Sequence, residues 1–337
     1  MKKSLLALAV LGAFAGVASA QSSVTLFGIV DLNARYVKND AAKRAVSLSQ
    51  DGINSSRLGF RGSEDLGGGM SARFWIEGAL NTDTGNAGGQ TWQRRSTVSL
   101  AGGFGEVRLG RDYTPTFWNS TIFDVFGTNG IGSSLNYQQL PPSTTNVRSN
   151  NSIGYFLPPN IGGVYGQGMV AASEGATNTK YIGARIGFAA GPFDIAGAYG
   201  QQNANANDKQ KTFNIGGSYD LGVVKLMGYF DRDTLVSAKE NRFSFSVLAP
   251  IGQGEIHASY GTSKLTNGAA STKIDQFAVG YVYNVSKRTA LYSTLSRLNN
   301  KNGTLKTVGG GNAFGSDGGI PSSPKSTGFE AGLRHSF

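Results

Sequence analysis

The last ten residues of the chain, Gly328 to Phe337, read GFEAGLRHSF and alternate between two kinds of side chain. Phe329 and Leu333 share the parity of the final phenylalanine, whereas the other parity holds Glu, Gly, Arg and Ser. Successive side chains of a strand point to opposite faces. One face of this segment can therefore meet lipid and the other water, which is typical of a strand in an outer-membrane barrel.

The other end of the chain indicates export. Residues 1–20 contain two lysines, an apolar run from Leu5 to Val17, and the small-residue cleavage signature Ala18-Ser19-Ala20. The run is shorter than the ~20 residues that a membrane-spanning helix needs. We therefore interpret residues 1–20 as a signal peptide, and we expect the mature chain to comprise residues 21–337. The later sequence has no apolar run of spanning length, which leaves a soluble exported protein or an outer-membrane barrel.

Composition narrows these classes further. Glycine supplies 49 of 337 residues, about twice the usual ~7%, and so much glycine disfavours a helical protein. The chain has no cysteine, which excludes disulfides, thiolate metal sites and thiol nucleophiles. The formal charge is +10, but we expect no nucleic-acid partner for an exported chain. The charge fits either a basic channel interior that favours anions or surplus lysines that contact lipopolysaccharide and solvate the surface.

Alternation predicts sixteen strands. They are expected near residues 24–35, 57–64, 70–80, 95–101, 105–113, 152–157, 166–172, 181–189, 193–201, 211–219, 223–231, 241–249, 254–260, 274–283, 289–297 and 328–337. The connections between them alternate between short glycine-rich turns and longer polar segments, as in membrane barrels with short periplasmic turns and long outer loops. The longer ones include residues 36–56, 114–151, 202–210, 232–240 and 261–273. The sequence therefore predicts one all-β domain, a sixteen-stranded antiparallel transmembrane barrel around an aqueous channel.

Four long segments resemble one family. They are QSSVTLFGIVDLNARY (21–36), SSRLGFRGSEDLGGG (55–69), RRSTVSLAGGFGEVRLGRDYTPTFW (94–118) and GLRHSF (332–337). They are similar to the general porins of beta-proteobacteria, above all to the 32-kDa-type anion-selective porins of the Burkholderiales. The resemblance covers the mature chain and is strongest in its first third.

The resemblance implies a homotrimer in the Gram-negative outer membrane, in contact with lipid and lipopolysaccharide. It implies that a long third loop, here residues 114–151, folds inward and narrows the pore. It also implies that the terminal Phe337 is read by the barrel assembly machinery. Small anions and hydrophilic solutes are the expected cargo.

A positive pore constriction follows from the same resemblance. The matching positions are Arg57, Arg94 or Arg95, and Arg148. Strand parity places Arg57 and Arg95 inward and Arg94 outward unless a bulge intervenes. Arginine suits this role because it stays charged and offers several donors to an anion. Asp124, the only acid predicted in the loop, either opposes the arginines or caps backbone amides.

Four further arginines are predicted to line the pore and to extend the positive track: Arg61, Arg73, Arg108 and Arg185. A charge on the lipid face is costly, so these side chains are expected to point inward. The alternative is that each arginine pairs with an acid such as Glu64, Glu77 or Glu106 and only braces the wall.

Catalysis finds little support in the sequence. The two histidines, His257 and His335, belong to no evident Ser-His-acid set, and no phosphate loop or metal-ligand cluster stands out. We therefore predict a channel without enzyme activity, metal or cofactor. A substrate-specific outer-membrane channel on the same barrel is the alternative function, since the loop is rich in aromatic residues.

Overall fold

The computed structural model describes residues 23–39, 44–86, 91–140, 146–174, 180–204, 207–304, 306–309 and 324–337. The predicted signal peptide, residues 1–20, lies outside this part of the chain. None of the helices in the described ranges is long and apolar enough to cross a membrane.

Seventeen strands form a single antiparallel sheet in the described part of the chain. They are β1 (Ser23–Asn39), β2 (Arg44–Gln50), β3 (Arg57–Gly67), β4 (Met70–Ala79), β5 (Arg95–Gly102), β6 (Gly105–Tyr113), β7 (Arg148–Phe156), β8 (Val164–Ala171), β9 (Tyr181–Ala190), β10 (Phe193–Asn203), β11 (Lys209–Asp220), β12 (Lys225–Leu235), β13 (Ala238–Ile251), β14 (Gly254–Asn267), β15 (Ala270–Asn284), β16 (Thr289–Lys301) and β17 (Lys325–Ser336).

The sheet closes on itself through its first and last strands. One edge of β1 pairs with β17, from Ile29 opposite Ser336 to Asn39 opposite Ser326. The other edge of β1 pairs with β2 over residues 32–38 and with β3 over residues 23–29. Since β2 and β3 share one position around the barrel, the closed sheet has sixteen positions, which confirms the predicted fold.

The side chain of Asp31 fixes the segment that connects β2 to β3. The Asp31 carboxylate accepts hydrogen bonds from the backbone amides of Gly52, Ile53 and Asn54, at 3.2, 3.0 and 2.7 Å. A carboxylate that accepts several backbone amides holds a bend in one conformation. The prediction that residues 36–56 form one long connection was wrong, because β1 extends to Asn39 and β2 lies inside that range.

The two faces of the barrel wall differ in polarity as predicted. Ile182 and Ile186 on β9 are 55% and 65% exposed on the outer surface, whereas Arg185 between them is buried on the inner face. On β17, Leu333 is exposed outside and Glu330 is buried inside. The outer surface is therefore an apolar band, and the buried polar groups lie within the barrel.

Several outer connections are shorter than predicted. Strands β12 and β13 are joined by residues 236–237 alone, and β14 and β15 by residues 268–269. The predicted loops 232–240 and 261–273 are therefore mostly strand. Both faces of these extensions are polar, so the alternation that marks strands at membrane height is weak there.

The longest connection contains two short helices. Helix α1 (Pro115–Ile122) begins after Thr114, whose hydroxyl accepts a hydrogen bond from the Phe117 amide, and proline is favoured in a first helical turn. A 3-10 helix follows at Ser134–Tyr137. Arg148 begins β7, so the predicted placement of this residue within the loop was wrong. We call residues 114–147 loop 3; its residues 141–145 lie outside the described ranges.

Candidate functional site

A cavity of ≈ 1260 Å³ lies between one side of the barrel wall and loop 3. Its arginines are Arg57, Arg94, Arg95, Arg108, Arg148, Arg185 and Arg334, and its carboxylates are Asp51, Glu77, Asp112, Asp124 and Glu255. Among the described residues the lining thus carries two more arginines than carboxylates. All but one of these arginines belong to β3 through β9 or to the residue before β5.

The first half of loop 3 contacts the inner face of β9 to β11. The Asn119 amide of α1 donates to Asn214 Oδ1 at 2.8 Å. It also donates to the Ala196 carbonyl and accepts from Arg185 Nε, at 3.2 and 2.7 Å. Phe123, at the end of α1, is fully buried.

The second half of loop 3 contacts the inner face of the later strands. The Ile131 amide donates to Glu330 on β17 at 3.2 Å. The Gln139 and Leu140 amides donate to the Glu240 carboxylate on β13 at 2.8 and 2.6 Å. Because loop 3 contacts β9 to β17, it leaves mainly β3 to β7 uncovered, and this part of the wall carries five of the seven cavity arginines.

Glycines on the inner wall make room for the loop aromatics. A Cβ added to Gly216 would lie 2.3 Å from Phe123 Cδ2, and one added to Gly261 would lie 2.4 Å from the Tyr137 ring. Real Cβ atoms do not approach other atoms so closely. The two aromatic rings therefore rest directly on strand backbone, and they fix the distance between loop 3 and the wall.

We expect Gly216→Ala to push Phe123 and α1 away from the wall and into the channel. Single-channel conductance should fall, and overpacking of this kind costs about 1–3 kcal/mol of stability. Gly197→Ala is the matched control, because its added Cβ would face outward and meet only the Asn214 carbonyl oxygen at 3.7 Å. Equal conductance in both variants and in the wild type would show that Phe123 does not set the position of the loop.

Three arginines lie close together on the cavity wall: Arg57, Arg94 and Arg148. Arg94 Nε lies 2.6 Å from Glu77 Oε1, and Arg57 Nη1 lies 3.4 Å from the same oxygen. Arg148 Nη2 donates to the Tyr113 hydroxyl at 2.5 Å, and its guanidinium lies 4.2 Å from the centroid of that ring. Two of the three guanidinium groups thus share one carboxylate, Glu77, whereas no carboxylate of the described residues lies within 4.0 Å of Arg148.

Arg95 and Arg108 lie beside this group and are more fully neutralised. Arg108 contacts Asp112 at 2.5 Å and Glu106 at 3.0 Å. Arg95 lies 3.9 Å from Asp112, and its guanidinium lies 4.6 Å from the centroid of the Trp75 ring. Both Arg94 and Arg95 line the cavity; Arg94 precedes β5, where strand parity does not apply.

The remaining predicted pore arginines have mixed surroundings. Arg73 lies 3.8 Å from Glu106. Arg61 packs over the Phe27 and Trp75 rings. Arg185 is held by Asn119 and by Tyr165. In the described part of the chain, no carboxylate lies within 4.0 Å of a guanidinium nitrogen of Arg61, Arg148 or Arg185.

Asp124 turns its carboxylate toward its own loop. It accepts hydrogen bonds from the amides of Phe126, Thr128 and Ser134 at 2.9, 3.2 and 3.0 Å. Burial raises the pKa of this carboxyl above its usual range, and the hydrogen bonds oppose that rise. The geometry is that of an amide cap within loop 3.

Tyr113 and Asp112 were not predicted as parts of the site, whereas Glu77 was named from the sequence as an alternative partner of the wall arginines. Tyr113 joins Arg94 to Arg148 through its hydroxyl, while Glu77 and Asp112 pair with the arginines. Glu77 and Asp112 have inward parity, which was a usable signal. Tyr113 has outward parity by simple counting, but the register between β6 and β7 shifts between Gly110 and Asp112.

Comparison with known proteins gives consistent matches. Residues 7–303 match the family model described as Gram-negative porin. The chain is 41% identical to outer membrane porin protein 32 of Delftia acidovorans and 30% identical to an outer membrane porin protein of Bordetella pertussis, in each case over 100% of both chains.

Solved structures agree with these sequence matches. The anion-selective porin from Comamonas acidovorans superposes with a TM-score of 0.85 at 37% identity, over 94% of this chain and 100% of that chain. A trimer form of OmpT from Vibrio cholerae matches in fold alone, with a TM-score of 0.72 at 14% identity, over 94% of this chain and 99% of that one. The closed sixteen-position barrel, its wide polar interior and these matches lead to one conclusion: the chain belongs to the Gram-negative porin family and is a passive channel of the outer membrane.

Proposed function

We propose that this porin prefers anions, and that Arg57, Arg94 and Arg148 form its constriction opposite loop 3. The observation that carries the proposal is the charge imbalance at this point, where three guanidinium groups have one ion-paired carboxylate. A narrow passage with low-dielectric walls focuses the field of such charges on a passing ion. The similar porin from Comamonas acidovorans is itself described as anion-selective.

Other arginines of the wall extend the track in this proposal. Arg61, Arg73, Arg95, Arg108 and Arg185 would guide anions toward and away from the constriction. Arg95 and Arg108 contribute less because Asp112 and Glu106 offset their charge. Solutes would pass without a chemical step, a cofactor or energy coupling, so no residue is assigned a catalytic role.

The assembly of the protein is part of the proposal. Residues 1–20 would be removed on export, and the barrel would assemble as a homotrimer with the help of the assembly machinery that reads Phe337. The trimer form of the fold-related OmpT is a precedent in another protein. The apolar outer surface would contact membrane lipid, and its outer rim would contact lipopolysaccharide.

A substrate-specific channel remains the second candidate. The observation that favours it is the row of rings beside the arginines, where Tyr113 lies 5.4 Å from Phe117 and 5.3 Å from Trp118 between ring centroids. A solute with an anionic group and an apolar body would suit both features. Saturable flux of one such solute, with unsaturated flux of chloride, would separate this candidate from a general porin.

The test of anion preference is the reversal potential of purified protein in a planar bilayer under a KCl gradient. We expect a potential of the sign that chloride permeation gives, decreasing as salt screens the pore charges. Preference for potassium would mean that the carboxylates control the passage. Absence of conductance would overturn the channel assignment.

A further inference from the structure

A row of cations crosses the outer surface of the barrel near the end at which loop 3 begins. We call this the long-loop end and the opposite end the short-turn end. In the strand register Arg232 is opposite Asn241, Asn241 is opposite Lys264, Lys264 is opposite Lys273, and Lys273 is opposite Lys301. We call Arg232, Lys264, Lys273 and Lys301 the cationic row. Together with Asn241, its members form one line of cross-strand neighbours from β12 to β16.

The side chains of the row project away from the channel. The residues that alternate with them, Ser263, Ile274 and Asn300, are buried on the inner side. The Lys273 and Lys301 side chains are 41% and 52% exposed. The row is therefore separate from the arginines of the pore.

The row has more positive charge than its neighbours offset. Asp275 is the carboxylate in contact with it, with Oδ1 3.2 Å from Lys273 Nζ and Oδ2 2.7 Å from Lys301 Nζ. Within the described residues, no carboxylate lies within 4.0 Å of Lys264 or Arg232. Like charges directly opposite each other destabilise a sheet, so an external anion would stabilise this arrangement.

An aromatic layer lies directly below the row, toward the short turns. Phe230 precedes Arg232 by two residues on the same face, and its ring centroid lies 4.8 Å from that of Phe243. Phe277 and Tyr260 are also exposed on this surface, at 53% and 49%. Aromatic rings of membrane proteins concentrate at the boundary between hydrocarbon and headgroups. The cations above them therefore lie at the height of lipid headgroups.

We propose that the cationic row binds the phosphate groups of lipopolysaccharide in the outer leaflet. The inference rests on the proposed function for the outer orientation of the long-loop end. A phosphorylated lipid suits the surface better than a soluble anion, because its acyl chains would cover the apolar band while its phosphates meet the lysines. Asp275 would space Lys273 and Lys301, so that both ammonium groups stay beside the bound phosphate.

The test compares lipid binding by two triple variants of detergent-solubilised full-length protein. Lys264→Gln/Lys273→Gln/Lys301→Gln neutralises the row, and Lys225→Gln/Lys287→Gln/Arg288→Gln removes as many charges near the short-turn end. The probe is purified bis-phosphorylated lipid A, with its dephosphorylated form and inorganic phosphate as separate arms. We expect the row variant to bind bis-phosphorylated lipid A roughly tenfold more weakly or worse, and the control variant to bind it like wild type.

The other arms distinguish the possible sources of binding. Unchanged affinity in the row variant, or an equal loss in the control variant, would overturn the proposal. If the dephosphorylated lipid bound equally well, the surface would be only an apolar contact. If millimolar inorganic phosphate competed with the lipid, the surface would be a site for soluble anions. Either result would contradict a lipid phosphate site. Reversal potentials of the row variant should match wild type. A wild-type channel without anion preference would refute the proposed selectivity and leave the lipid measurement intact.

Discussion

Arg148→Glu is expected to lower the chloride-to-potassium permeability ratio by roughly threefold to tenfold, because a two-unit charge change within the passage acts in a low-dielectric environment. Arg148 has no carboxylate partner within 4.0 Å in the described ranges, and its Nε is buried without a hydrogen-bond partner. Reversal therefore removes a cation that nothing offsets. The reversal potential under a KCl gradient measures the change, at low salt, where screening is weakest.

Two controls separate pore charge from folding and from total charge. Arg148→Lys keeps the charge but loses much of the planar contact with Tyr113, so it should retain most of the anion preference. Arg288→Glu makes the same charge change in an exposed short turn outside the cavity, and it should leave selectivity unaltered. An Arg148→Glu channel with wild-type selectivity would contradict the constriction assignment.

Arg57→Glu should change ion selectivity in the same direction as Arg148→Glu, but its effect on stability should differ. Arg57 shares Glu77 with Arg94, so the variant would place two carboxylates beside one guanidinium. We expect a lower anion preference and a lower thermal stability of the barrel. Thermal unfolding of the variant, followed beside its reversal potential, measures both effects. A fully stable variant would show that Arg94 alone satisfies Glu77.

The strand pattern was predictable where lipid meets one face and water the other. On β13 the expected range 241–249 lies within the observed Ala238–Ile251, and on β14 the expected 254–260 extends to Asn267. The extension GTSKLTN is polar on most positions of both faces, so alternation could not mark it. The sequence did carry a signal for β2, because Val46 and Leu48 alternate with Ser47 and Ser49. Both apolar side chains are exposed on the outer face, at 76% and 60%.

The pore arginines were predictable as types and faces, and Glu77 and Glu106 were named as their alternative partners, but which arginine each acid contacts was not predictable. Inward parity follows from the cost of charge in lipid, and it placed Arg57 and Arg185 on the inner wall. Which arginine keeps an unmatched charge depends on cross-strand register and on loop contacts. Arg148 is unmatched because Tyr113 rather than an acid lies beside it. These two residues are paired just beyond the register shift between β6 and β7.

Deletion of Phe337 is expected to reduce the folded barrel in the outer membrane to a small fraction of the wild-type amount. The Phe337 amide donates to the Gly28 carbonyl and its carbonyl oxygen accepts from the Gly28 amide, both at 3.1 Å. Its ring lies over Gly28, where an added Cβ would be 2.3 Å from Cζ. The residue thus completes the pairing of β1 with β17 and presents an aromatic ring on the outer surface.

Refolding of the same variant in detergent distinguishes recognition from stability. Loss of two hydrogen bonds at about 0.5–1.5 kcal/mol each is modest beside the eleven residue pairs that join β1 to β17. We therefore expect nearly normal refolding of the purified variant but poor assembly in cells. Phe337→Tyr keeps an aromatic ring and should assemble well, whereas Phe337→Ala keeps the backbone pairs and should assemble poorly. Normal assembly of Phe337→Ala would assign the role to the backbone, because the ring would then be dispensable for recognition.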